Sequence, residues 1–320
     1  MTGRCRFAQP PATRFDAFGI ILLRDVSFFE SDKYSNGLLE LLVCSHPDNV
    51  YNAVTSNLPN KGILLARPEK KTRNFMSNPS KPTAIITGAG TGIGQATAKG
   101  LAADGFSVAL LGRRADVLEV TVAEIIADGG DAIVLPCDVA SRESVDEAMR
   151  VLESTWTRFD LLVCNAGTNL PRRALKDLTS EDWDTLIGVN LTGAFNTVRA
   201  VLPHMRAAKR GTVIQICSIS GKRAGPLGGI GYSAAKFGQS ALGICLGREE
   251  RENGIRSTVI YPGEVNTPIL EKRPNPVPDA RRPVMLQPED VAAAVRFVVA
   301  LPERANIFEL IIKPTADDYV

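Results

Sequence analysis

Histidine is nearly absent from this chain of 320 residues, which holds only His46 and His204. With so few imidazoles, a histidine-based metal site or a Ser-His-Asp triad is hard to assemble. His204, inside Leu202-Pro203-His204-Met205, reads as a helix-surface residue. No metal is expected, and if the chain is an enzyme its acid/base is another residue type. Cysteine is sparse as well. Cys5, Cys44, Cys137, Cys164, Cys217 and Cys245 include no Cys-x-x-Cys pair, and the last four stand beside apolar residues. They read as reduced, mostly buried thiols of an intracellular, cytoplasmic protein. No apolar run nears the roughly 20 residues of a bilayer span; even Ile20-Ile21-Leu22-Leu23 stops at Arg24-Asp25. The net charge is only +2, without a basic block interleaved with aromatics. Neither a membrane nor a nucleic-acid partner is expected.

What is present, 44% hydrophobic and 22% charged residues, suits a soluble globular chain with ample core. Residues 1–75 differ in texture and read as an N-terminal extension of unassigned role. A disordered segment, an over-long gene product and a small appended structure all remain open for it. Arg4, Arg6, Arg14 and Arg24 hint at organellar targeting, which Asp16, Asp25, Pro10 and Pro11 argue against. Met76 looks like an ordinary start, and 76–320 has a comfortable length for one domain.

From residue 82 the pattern becomes regular. Strand-like runs at 83–87, 106–111, 131–136, 160–164, 211–217, 255–261 and 307–313 alternate with helix-like stretches near 92–104, 114–128, 141–157, 180–208, 231–252 and 288–300. This alternation predicts an α/β fold: a doubly wound, parallel, seven-stranded, Rossmann-like sheet with its ligand site at the strand carboxyl ends.

Two stretches carry chemistry. Thr87-Gly88-Ala89-Gly90-Thr91-Gly92-Ile93-Gly94 follows the first strand and opens the first helix, where glycines let backbone N–H groups approach a pyrophosphate. Gly231-Tyr232-Ser233-Ala234-Ala235-Lys236 puts a tyrosine and a lysine on one helix face. An ammonium close to a phenol favours the phenolate, which makes Tyr232 a candidate general acid/base. Ser218, ending the run Thr212-Val213-Ile214-Gln215-Ile216-Cys217, can project toward that phenol.

The Gly-x-x-x-Gly-x-Gly spacing, the Tyr-x-x-x-Lys pair and Asn165-Ala166-Gly167 after the fourth strand together resemble the classical short-chain dehydrogenase/reductase family, over residues 82–313. The resemblance implies a cofactor diphosphate held by Gly88, Gly92, Ile93 and Gly94. Asp138 and Val139 would contact the adenine, and Asn165, Ala166 and Gly167 would support the nicotinamide side. Gly112 stands where NAD-preferring members usually place an acidic residue. The adjacent Arg113 and Arg114 can clamp a 2′-phosphate, so NADP(H) is favoured over NAD(H). Pro262, Gly263, Val265 and Thr267 would pack on the nicotinamide and its carboxamide.

The resemblance also implies catalysis by Asn190, Ser218, Tyr232 and Lys236. Tyr232 would exchange the proton and also contact the cofactor, Ser218 would bind the substrate oxygen, Lys236 would lower the tyrosine pKa and hold the ribose, and Asn190 would bend its helix and hold a water. Ser220 competes for the serine role because Ser218 to Tyr232 is one residue longer than common. The substrate would be a small carbonyl compound or alcohol, with a hydroxy acid/oxo acid pair suggested by a short lid containing Lys272, Arg273, Arg281 and Arg282, whose cations could equally face water. The tail from Leu286 to Thr315 is similar to NADP-linked 3-hydroxy acid and serine dehydrogenases. Homodimers or homotetramers would bury Phe195, Phe237 and Leu246, for each of which core packing is the competing role. The alternatives are a non-catalytic dinucleotide-binding scaffold or sensor, which Asn190, Ser218, Tyr232 and Lys236 together argue against, and a sugar-nucleotide epimerase or dehydratase, which would need a larger carboxyl-terminal domain.

Overall fold

The structure is a computed structural model that describes residues 81–318, together with the backbone of three short strands nearer the N-terminus. The chain divides into two units, Met1–Phe75 and Met76–Val320. In the first, β1 (Leu41–His46), β2 (Asn49–Val54) and β3 (Leu64–Leu65) form an antiparallel sheet in that order. The sequence pattern assigns no element there. The arginines weighed for targeting lie outside the described residues.

In the second unit, β4 (Thr83–Thr87) is buried along its whole length. Successive strand side chains point to opposite faces, so Ala84 and Ile86 enter one core and Ile85 the other. A strand covered on both faces needs the unbroken apolar run that this sequence supplies. The neighbours are β5 (Ser107–Gly112), β6 (Asp131–Pro136), β7 (Leu161–Cys164), β8 (Gly211–Ile216), β9 (Ile255–Pro262) and β10 (Glu309–Ile312). All seven run parallel in the order β10-β9-β8-β7-β4-β5-β6. The chain proceeds outward from β4 through β5 and β6, then returns to β4's other side as β7. The strand ends at β4 and β7 therefore flank the topological switch point, where a crevice opens.

Helices α1 (Gly92–Ala103), α2 (Ala115–Ala127) and α7 (Pro288–Ala300) cover one face through Leu101, Leu118, Ile125, Val291 and Val295. On the other face, α3 (Arg142–Thr155), α5 (Gly193–Ala208) and α6 (Ile230–Glu249) contribute Met149, Leu152, Val201, Met205 and Leu246. Each such side chain, fully buried, stabilises the fold by about 1.5–3 kcal/mol.

Four expectations change. The helix predicted over 180–208 is two: α4 (Ser180–Ile187) and α5, joined by a π-helical turn, Gly188–Thr192. Asn190 causes the break, because its amide Nδ2 donates to the Leu186 carbonyl at 2.9 Å, an acceptor that regular α-helix would reserve for the Asn190 backbone N–H. Leu246 belongs to the core and is only 6% exposed, so it is not available to an interface, whereas Phe195 and Phe237 are exposed. Cys245 is exposed, unlike Cys137, Cys164 and Cys217. The lid, where no element is predicted, contains 3-10 turns at Pro268–Lys272 and Asp279–Val284 around a small core of Leu270, Val277 and Met285. Among the described residues, no helix is long and apolar enough to cross a membrane, and no cluster of His, Cys, Asp and Glu could hold a metal ion.

Candidate active site

The glycine turn after β4 is shaped by what lies beneath it. Gly88 has φ +65°, and a Cβ there would stand 2.8 Å from Ala166 Cα. A methyl group on Gly94 would overlap the Gly88 carbonyl and the Asn165 amide. Asn165 is the brace: its Nδ2 donates to the carbonyls of Thr87 at 2.9 Å and Gly88 at 3.1 Å. The backbone N–H groups of Asn165 and Ala166 both donate to Thr87 Oγ1 at 2.9 Å. Thr87 is thus the hub of the turn, a role its strand-like sequence context hides. Thr91, the N-cap of α1, makes no side-chain cap. The first-turn N–H groups at Gly92, Ile93 and Gly94 therefore remain available to an anion. Thr267 closes over this end, with its Cγ2 3.0 Å from where a Gly92 Cβ would be.

Around the cleft, Arg113 and Arg114 follow Gly112 at the end of β5, exposed and without an ion-pair partner among the described residues. Asp138 Oδ1 accepts from the Ala140 N–H at 3.0 Å, and no described residue takes its other oxygen. Val139 is buried, and its carbonyl accepts from Asn196 Nδ2 at 2.9 Å. Pro262 ends β9, Gly263 donates its N–H to the Ile312 carbonyl at 2.8 Å, and Val265 turns its side chain into the core.

The candidate catalytic groups meet at the carboxyl end of β8. Ser218 caps a 3-10 turn, Ile219–Gly221, and its Oγ accepts from the Ser220 N–H at 3.1 Å. Ser220 Oγ instead faces Gly228, whose Cβ would stand 2.8 Å from it. Of the two serines, Ser218 is the one whose hydroxyl acts on the Tyr232 phenol. Withdrawal from water pushes the Tyr232 pKa up to about 12, against the opposing pull of the Ser218 hydroxyl and, more weakly, of the Arg173 guanidinium.

Lys236 makes contacts that the sequence spacing does not predict. Its Nζ lies 5.7 Å from the centre of the Tyr232 ring but is aimed elsewhere: it donates to Gln239 Oε1 at 2.7 Å and to the Ile216 carbonyl at 3.0 Å. Burial depresses the pKa of Lys236 itself. Gln239 is fully buried and in turn donates to Gln215 Oε1 at 3.0 Å and the Cys164 carbonyl at 3.3 Å. The sequence reading missed Gln239. A glutamine three residues after a lysine, on the face that meets the sheet, is the signal that could have found it.

Asn190 is fully buried. Its Oδ1 accepts from the Thr168 N–H at 3.1 Å and its Nδ2 donates to the Thr168 carbonyl at 3.0 Å. Gly167 separates it from the lysine: a Cβ there would stand 3.0 Å from Asn190 Oδ1 and 3.6 Å from Lys236 Nζ. The side chain of Asn190 thus clamps the segment that follows β7.

A doubly wound parallel sheet with an uncapped, glycine-shaped helix N-terminus at its switch point defines a dinucleotide-binding class of protein. The family model described as short chain dehydrogenase matches residues 82–277. An uncharacterized oxidoreductase of Staphylococcus aureus is 35% identical over 231 residues, covering 72% of this chain and 96% of that protein. An alcohol dehydrogenase of Thermococcus sibiricus, solved in complex with 5-hydroxy-NADP, is 31% identical, covers 75% of this chain and 99% of its own, and superposes with a TM-score of 0.67. A closed form of serine dehydrogenase complexed with NADP+ is 30% identical, covers 74% and 96%, and gives a TM-score of 0.68. The chain belongs to the short-chain dehydrogenase family, and it is an oxidoreductase.

Proposed function

We propose that this protein uses NADP(H) to interconvert a small carbonyl compound and its alcohol, with Tyr232 as general acid/base. The observation that carries this reading is the meeting of Ser218, Tyr232 and Lys236 beside a glycine turn whose first-turn N–H groups are unclaimed. The residues fit a dinucleotide. The cradle at Gly88 and Gly94 admits no side chain, and Arg113 and Arg114, without an ion-pair partner among the described residues, stand at the end of the second strand of this unit, where they would hold a ribose phosphate. When bound, the reduced nicotinamide supplies the hydride.

The chain's own residues do the rest. The Ser218 hydroxyl and the Tyr232 phenol hydrogen-bond the substrate oxygen, and the phenol gives its proton to that oxygen as a carbonyl becomes an alcohol. Lys236 would hold the cofactor ribose, with its positive charge 5.7 Å from the centre of the Tyr232 ring. Asn190 keeps the Thr168 segment fixed behind the lysine. Phe195 and Phe237, exposed on α5 and α6, suit burial between subunits of a homodimer or homotetramer.

The raised Tyr232 pKa gives a direction to the pH dependence. A phenol held up at about 12 remains protonated through neutral pH, so the proton donor for reduction is present there. The base needed for oxidation grows as pH rises toward that pKa. Initial rates should therefore show kcat/KM for alcohol oxidation climbing by up to about tenfold per pH unit above neutrality, with reduction flat or falling. A reversed dependence would remove Tyr232 from the proton-transfer role.

The direct test is oxidation of NADPH and of NADH by purified protein against small aldehydes, ketones and oxo acids. We expect turnover with NADPH at a lower KM than with NADH. The double substitution Arg113→Ala, Arg114→Ala should raise the KM for NADPH by about 10–100-fold, as expected when charge-assisted hydrogen bonds are lost, and leave that for NADH much less affected. Tight NADPH binding without turnover across the set would favour a non-catalytic scaffold.

A further inference from the structure

The lid and the loop after β7 contain several cations, and most are neutralised. Arg273 and Arg281 share Glu264, with Arg281 also on Asp317, and Arg282 lies 3.6 Å from Asp279. Two differ. Arg173 donates only to neutral backbone oxygens: Leu170 at 3.0 Å through Nε, Lys272 at 3.0 Å through Nη2, and Leu227 through Nη1. Lys272 Nζ donates to the Thr168 hydroxyl at 2.8 Å. Neither has a carboxylate partner among the described residues.

Both lie at the catalytic groups. The Arg173 carbonyl accepts from the N–H of Ile230, at the start of the helix that carries Tyr232, and the Arg173 Cβ stands 2.7 Å from where a Gly229 Cβ would be. Thr168, which accepts from Lys272, is held by Asn190 and adjoins Gly167, next to Lys236. The hydrogen bond from Arg173 to the Lys272 carbonyl joins the loop after β7 to the lid. A half-buried guanidinium without a counter-charge is an unfavourable arrangement that a bound anion relieves. Consistent with this, desolvation and the neighbouring Arg273 hold the Arg173 pKa below the usual arginine range.

We propose that Lys272 and Arg173 form the subsite for a carboxylate on the substrate, so that the reacting pair is an oxo acid and its hydroxy acid. This rests on the reading of Tyr232 and Ser218 as the groups at the reacting carbonyl, and adds how the other end of the substrate is held. Arg173 offers its planar guanidinium and Lys272 a point charge on a flexible stem.

The test compares small oxo acids, 3-oxobutanoate among them, with their methyl esters, which keep the carbonyl and remove the charge. With NADPH, kcat/KM should favour the acid by at least about tenfold, the scale of a charge-assisted contact. Lys272→Met should reduce the acid-to-ester ratio by about 10–100-fold, and Lys272→Arg should restore most of it. A merely structural role for Lys272 would lower acid and ester together and leave the ratio unmoved. Calorimetric titration of butanoate into protein saturated with NADP+ gives a readout without turnover, and its Kd should rise by at least about tenfold in Lys272→Met. Equal turnover of acids and esters, or a ratio insensitive to Lys272→Met, would overturn the proposal while the reductase reading stands. Butanoate binding lost in Lys272→Met, with no turnover of any compound, would support the subsite and overturn the reductase reading.

Discussion

Replacement of Tyr232 by phenylalanine should leave a folded protein whose kcat for carbonyl reduction is about 10²–10⁴ lower, the usual contribution of a positioned general acid. The reason is local. The ring stays in its place at the start of α6, while the only group removed is the hydroxyl that interacts with Ser218. Because Lys236 makes its hydrogen bonds to Gln239 and the Ile216 carbonyl rather than to the phenol, its position should survive the change. NADPH affinity, measured by fluorescence titration, should change by less than about tenfold, since one hydroxyl contact to the cofactor is the most that is removed. An unchanged kcat would exclude Tyr232 as the proton donor.

Gly94→Ala should act at the opposite point, on binding rather than on the proton. The added methyl group meets the Gly88 carbonyl and the Asn165 amide, and both are fixed by hydrogen bonds to Thr87 and its neighbours. Nothing flexible stands there to give way, so the turn must move. Overpacking of this kind costs about 1–3 kcal/mol of stability. Displacing the first-turn N–H groups by about 1 Å weakens productive cofactor binding by about 100-fold. Thermal unfolding and NADPH titration of the same sample would separate the two effects. A variant with wild-type cofactor affinity would show that the turn does not hold the diphosphate.

Much of the architecture was legible because its causes are local. The run Thr83-Ala84-Ile85-Ile86-Thr87 is apolar enough to be covered on both faces, and a glycine-rich turn between such a strand and a helix has few uses. The spacing of Tyr232 and Lys236 puts both on one face of one helix. The break at Asn190 was less visible, since it arises from a side chain reaching the Leu186 carbonyl and the Thr168 backbone, 22 residues away. The antiparallel strands β1 to β3 had no clean alternation to announce them.

The sequence by itself determined the doubly wound fold, the family and the residues that gather at the strand ends, because periodicity and glycine placement act within a few residues of themselves. Tertiary structure alone decided what those residues do in each other's presence. Folding buried the Lys236 ammonium against Gln239 and desolvated the Tyr232 phenol, which raises the phenol's pKa. It also brought Arg173 beside the Lys272 carbonyl across 99 residues of chain, with Glu264 committed to other arginines. The physical reason is that desolvation and charge pairing depend on distance in space and on what water is excluded, and neither is written in the spacing of residues along the chain.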